Sequence, residues 1–145
     1  MKKVIIGLLV LVLLGGVITL LIYRPGGLVV SDAWARPGKA GGNSAVYFVI
    51  DNRAASQDAL LSASCDAAMM TQVHQTSIDA SGTASMHEQE SVPVAAYQQV
   101  SFQPGGLHVM LMKLKQDLAA GDTLQVTLTF EKAGQVEIEA QVREP

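Results

Sequence analysis

The sequence predicts an all-β sandwich behind a single N-terminal transmembrane helix. Three observations lead there: one long apolar run at the start, short runs of alternating apolar and polar residues after it, and turn residues separating those runs.

The apolar run comes first. Val4 to Tyr23 reads VIIGLLVLVLLGGVITLLIY and follows Lys2 and Lys3. In a helix, about 20 residues reach about 30 Å, the thickness of a hydrocarbon core. The run ends in Leu21-Ile22-Tyr23-Arg24-Pro25, without the small-residue pattern of a cleavage site. We therefore expect residues 1–24 to be a retained anchor, 25–28 a linker and 29–145 one domain, exported with its short N-terminal tail left inside. The expected location is a bacterial inner membrane, crossed once, with the domain in the periplasm. The alternative is a soluble periplasmic domain after signal cleavage.

The strands are expected at 29–36, 45–52, 59–64, 70–77, 84–90, 100–102, 108–114, 123–131 and 135–142. Period-two alternation is clearest near the end of the chain. Leu124, Val126, Leu128 and Phe130 alternate with Gln125, Thr127 and Thr129, and Val136, Ile138, Ala140 and Val142 alternate with Glu137, Glu139 and Gln141. Lys132-Ala133-Gly134 lies between these two runs, which read as a hairpin. Pro37-Gly38, Gly41-Gly42, Ser81-Gly82, Pro104-Gly105-Gly106 and Gly121-Asp122 supply the backbone angles of the other turns.

Composition removes several function classes. Lys+Arg total 10 against Asp+Glu 13, with no basic stripe, which argues against a nucleic-acid surface. The single cysteine, Cys65, can form neither an internal disulfide nor a Cys-x-x-Cys site, and reads as a buried apolar filler. No Ser-His-Asp or Cys-His arrangement assembles from these residues, and three histidines are few for a copper redox enzyme, so an enzyme is not expected.

The informative feature is where His and Met fall. His74, His87 and His108, and every methionine except Met1, lie between residues 69 and 112. Taken singly, each has a plain structural role: a histidine in a strand is usually a core or surface residue, and Met69-Met70 is expected to include at least one core residue. Together they fit copper(I), a soft ion suited to thioether sulfur and imidazole nitrogen. Methionine also escapes the thiol oxidation that would disable a cysteine outside the cytoplasm. His108 and Met110 share one face of a strand, with Met112 one pleat further along. His74 is expected to end one strand and Met86 to begin the next, so that a hairpin brings them together. His87 points away from Met86 and is an auxiliary ligand at best.

The pattern H-x11-M-x21-H-x-M, formed by His74, Met86, His108 and Met110, resembles the periplasmic copper chaperone family PCu(A)C, whose first spacing is one residue shorter. Asp32-Ala33-Trp34-Ala35-Arg36, Ala45-Val46-Tyr47-Phe48, the stretch from Pro104 to Met112 and that from Leu118 to Gly134 are similar to the same family. The resemblance implies a cupredoxin-like, Greek-key β-sandwich that binds one Cu(I) through His74, Met86, His108 and Met110. It further implies delivery of copper to the CuA-bearing subunit of cytochrome c oxidase, alongside Sco-type proteins. A copper-buffering or resistance protein with no oxidase role is the alternative, and a metal-free interaction module is a third reading. The extra residue falls near Ser81-Gly82, in a turn able to absorb it.

Overall fold

The computed structural model describes residues 27–145, so the expected transmembrane helix lies outside the described residues. Among the described residues no helix is long and apolar enough to cross a membrane.

Ten strands follow one another along the chain: β1 (Leu28–Ala35), β2 (Ser44–Asn52), β3 (Asp58–Ser64), β4 (Ala68–Ile78), β5 (Ala84–Glu88), β6 (Val92–Val94), β7 (Gln99–Phe102), β8 (Leu107–Leu114), β9 (Thr123–Phe130) and β10 (Gly134–Val142). Their hydrogen-bonded order is β5-β4-β8-β7-β2-β1-β10-β9-β3-β6. The ribbon folds over so that β3 and β4, joined by residues 65–67, come together although they stand near opposite ends of the order. The result is the expected cupredoxin-like β-sandwich.

Alternation fixes which face is buried. Leu124, Val126, Leu128 and Phe130 of β9 and Ile138, Ala140 and Val142 of β10 turn inward, joined by Val46, Phe48 and Ile50 of β2 and Val109 and Leu111 of β8. Phe48 and Phe102 stack at 4.4 Å between ring centroids, locking β2 to β7 at the centre. The β9–β10 hairpin has unbroken register from Gly134–Phe130 to Gln141–Thr123, as the period-two pattern requires.

Two expectations need correction. The sequence reading left out β6, whose Val92-Pro93-Val94 core is short and carries a proline. Proline removes a ladder donor and is tolerated at a sheet edge, which is where β6 lies, paired with β3 alone. Met69 and Met70 were expected to supply a core residue, yet they are 69% and 49% exposed. Cys65, by contrast, is buried as anticipated, and burial raises its thiol pKa.

Candidate metal centre

His74, His108, Met70, Met86, Met110 and Met112 gather on the outer face of β5-β4-β8, one end of the strand order. Antiparallel register decides this. In β4–β8, His74 stands opposite His108, Gln72 opposite Met110 and Met70 opposite Met112; in β4–β5, Thr76 stands opposite Met86 and His74 opposite Glu88. Residues directly opposite share a face, and so do alternate residues along a strand. His74, His108, Met110 and Met86 therefore project from one face. Val73, Val109 and Leu111, on the other face, enter the core.

His74 lies within β4 rather than at its end, and Met86 is the third residue of β5. The hairpin thus pairs Met86 with Thr76, one pleat from His74, instead of joining the two ligand candidates directly. Its register is continuous from Ile78–Ala84 to His74–Glu88, with the turn of residues 79–83 between the two strands. There the Asp79 carboxylate accepts hydrogen bonds from the Ser81 and Thr83 backbone N–H groups, both at 2.9 Å.

The two imidazoles stand edge to face, with centroids 5.8 Å apart. Each has one nitrogen tied to the protein. His108 Nδ1 lies 3.1 Å from the Gly106 carbonyl oxygen, an acceptor, so Nδ1 carries the proton and Nε2 keeps its lone pair. The 103–107 loop sets that carbonyl: the Gly106 N–H donates to Gln103 O and the Gln103 N–H to Leu107 O. Gly105 adopts φ 81, a conformation that favours glycine. His74 Nε2 lies 3.1 Å from Gln72 Oε1, which accepts its proton. His74 Nδ1 is left deprotonated, buried and without a hydrogen-bond partner. A buried lone pair facing no donor is costly unless something else satisfies it.

Burial, reinforced by the nearby His108 and opposed by Glu88, holds the His74 pKa below its ordinary 6.5. Neutral imidazole is the form that binds metal, so protons compete with metal at His74 less than at an ordinary histidine. In a comparison of wild type with His74→Met from pH 8 to 5, any fall in soft-metal affinity that depends on His74 should begin only below about pH 6.5. A His74-dependent fall already present above pH 7 would contradict this assignment.

A cleft of about 430 Å³ opens beside the pair, with Met86, Met110, His108, Thr76, Tyr47 and Arg36 among its lining residues. His74 is set behind this lining, against His108. Tyr47, only 4% exposed, supports the His108 ring at 6.4 Å and is itself covered by Trp34 at 4.6 Å. The Arg36 guanidinium lies 5.6 Å from the Tyr47 ring centroid. Met86 is 55% exposed on the edge strand, whereas His108 is 5% exposed. The site thus has a rigid imidazole base and one outward thioether.

Among the described residues, no three His, Cys, Asp or Glu side chains are grouped to hold a metal. The thioethers of Met86 and Met110 beside the imidazole pair are donors suited to a soft ion rather than to zinc or calcium. His87 pairs with Gln75 on the opposite face, its Nε2 3.2 Å from Ser85 Oγ, and does not face the His74–His108 pair. Sequence reasoning missed Gln72 and Tyr47 as supports of the imidazoles. The alternation Gln72-x-His74 could have indicated the first, but nothing local indicates the second.

Residues 28–142 match the family described as "Putative lipoprotein LpqE-like". Two curated relatives are "Putative lipoprotein Lxx21020" of Leifsonia xyli subsp. xyli, 33% identical over 72% of this chain and 62% of that protein, and "Uncharacterized protein RP573" of Rickettsia prowazekii, 34% identical over 68% of this chain and 56% of that one. The matches thus span less than two thirds of each relative's length. Among solved structures, the apo PCuAC domain from PmoF1 superposes with TM-score 0.71 at 30% identity, covering 85% of this chain and 98% of that domain. The copper-bound PCuAC domain from PmoF2 gives 0.68 at 27%, covering 85% and 97%. Copper(I)-bound DR1885 from Deinococcus radiodurans, at 24% identity, covering 82% and 81%, shares the fold with TM-score 0.62. The likeness is to PCuAC domains, one of them copper-bound. With its family model matched from the first strand to the last, the chain belongs to the LpqE-like family and has the PCuAC fold.

Proposed function

We propose that the domain binds one copper(I) ion through His74 Nδ1, His108 Nε2 and the sulfurs of Met110 and Met86, and holds it outside the cytoplasm as a copper buffer. The observation that carries this reading is the buried, partnerless His74 Nδ1, opposite a His108 whose Nδ1 is anchored to Gly106. Two fixed lone pairs on a thioether-bearing face suit a soft d¹⁰ cation. The backbone and amide partners act as outer-shell supports, fixing tautomer and ring orientation. The copper named in the PmoF2 domain's description supports the choice of ion. Titration of the protein with copper(I) under reducing conditions tests it. We expect one tightly held ion per chain, and binding no tighter than that of a weak chelator would end the reading.

Exposure of Met86 favours a finer version, in which the ion is handed on. A solvent-facing thioether on an edge strand can be displaced by an incoming ligand without opening the core. Met86→Ala is expected to weaken copper(I) binding about tenfold and to speed release to a competing chelator, while leaving the fold unchanged. Equal release rates for variant and wild type would remove Met86 from the ligand set. In this finer version the acceptor is the CuA centre of cytochrome c oxidase, reached directly or with a Sco-type protein. An oxidase defect on gene deletion that added copper rescues would support delivery; normal oxidase activity at limiting copper would leave buffering alone. Residues 1–24 would serve as the anchor, keeping the domain at the membrane on the periplasmic side. The mature N-terminal mass distinguishes this from a cleaved, soluble domain.

A further inference from the structure

The outer face of β4 and β8 does not end with the four proposed ligands. One pleat beyond Met110, Met112 stands directly opposite Met70, in the same unbroken register that pairs His74 with His108. Cβ atoms of directly opposed residues lie about 5 Å apart, and the next same-face residue along a strand is about 7 Å away. Met70, Met112 and Met110 therefore form a compact group of thioethers continuous with the two imidazoles.

Packing does not account for this group. Met70 is 49% exposed, Met110 and Met112 are half-buried, and the core beneath them is filled by Val73, Val109 and Leu111. A half-exposed methionine contributes little burial energy, and a sheet face left to solvent would ordinarily carry polar residues. Thioethers are neutral, flexible and soft, so they can converge on a polarizable cation while offering little to hard ions. No acidic residue shares this end of the face: Glu88, which does lie on the same face, stands opposite His74 on β5.

We propose that Met70 and Met112 form a second, thioether-only site for a soft monovalent cation, with Met110 linking it to the imidazole pair. The physiological ion is copper(I), an identity that rests on the function proposed above. Lacking imidazole, this site holds the ion more weakly than the His74–His108 centre. It gives copper(I) a staging position from which Met110 can pass it to His108 by ligand exchange. No oxidation or proton transfer is involved, because the ion keeps its charge and neutral thioethers replace one another.

Silver(I), a soft d¹⁰ ion without redox chemistry, is the probe. The full-length chain, solubilised in detergent and labelled at the methionine ε-methyl carbons, is titrated while the resonances are followed by NMR. The first equivalent should shift Met86 and Met110, and a second should shift Met70 and Met112. In the double variant Met70→Leu, Met112→Leu, which conserves volume at these positions, the second equivalent should be lost and the first retained. His108→Ala should impair the first event and leave the Met70 and Met112 response in place.

If the Met70 and Met112 resonances stay fixed through the second equivalent, or the double leucine variant keeps the wild-type stoichiometry, the staging site does not exist. If those resonances move but no His108-dependent event is seen, the proposed four-ligand centre fails and the thioether site stands without it.

Discussion

Replacing His108 with alanine is expected to lower copper(I) affinity by at least about a hundredfold. Loss of an outer-shell partner alone typically costs 10–100-fold, and here a proposed direct ligand is removed. His108 is also the best-fixed of the four. It is 5% exposed, its Nδ1 proton is committed to Gly106 O at 3.1 Å, and Tyr47 backs its ring. Its orientation is therefore set before metal arrives, and little ordering entropy is lost on binding. Competition against a chromophoric copper(I) chelator gives the affinity. Because alanine leaves a cavity, the far-UV spectrum and thermal midpoint of the apo variant are needed alongside it. A folded variant that binds within threefold of wild type would exclude His108 as a ligand.

The largest stability effect is expected far from the metal centre, at Asp58. This 5%-exposed carboxylate begins β3 and closes the turn between β9 and β10. Oδ1 accepts the Ala59 N–H at 2.7 Å and the Lys132 N–H at 2.9 Å, and Oδ2 accepts the Ala133 N–H at 2.9 Å. Asp58→Ala strands these donors beside the core, at an expected cost of about 3 kcal/mol or more. Urea unfolding of the apo protein measures it; a loss below about 1 kcal/mol would show that water replaces the carboxylate without penalty.

Asp58 also implies an acid dependence. Burial disfavours its charge, but hydrogen bonds from Lys132, Ala59 and Ala133 and the Lys132 charge outweigh that, holding the folded pKa below the ordinary 3.8. A carboxylate with a depressed folded pKa contributes its full stabilisation above the unfolded value. That contribution is lost as pH falls through the folded value. Wild type should therefore lose stability below about pH 4, and Asp58→Asn should lack this part of the loss.

Much of the site was legible in residue order because β-strands obey a period of two. His108-x-Met110 must share a face in any extended segment, and the Pro104-Gly105-Gly106 turn before it marks where the strand begins. The β9–β10 hairpin was readable for the same reason, since its alternation puts Leu124, Val126, Leu128 and Phe130 on one buried face and the short Lys132-Ala133-Gly134 connection sets the register. β6 was not, because three residues carry no period and Pro93 makes sense only once β6 is seen to be an edge.

The sequence by itself determined the strand pattern apart from β6, the soft-donor residue types and their separation from the cores of β9 and β10. Tertiary structure decided which of those candidate ligands meet. His74 and His108 are 34 positions apart, and no local rule sets them opposite each other; the β4–β8 register does. The same register turns Met70 outward towards Met112, against the expectation that the Met69-Met70 pair would help fill the core. Asp58 reaches a turn 74 residues away. The physical reason is common to all three: hydrogen-bond register between distant strands is fixed by burial of the opposite face, a property of the assembled sheet rather than of any one segment.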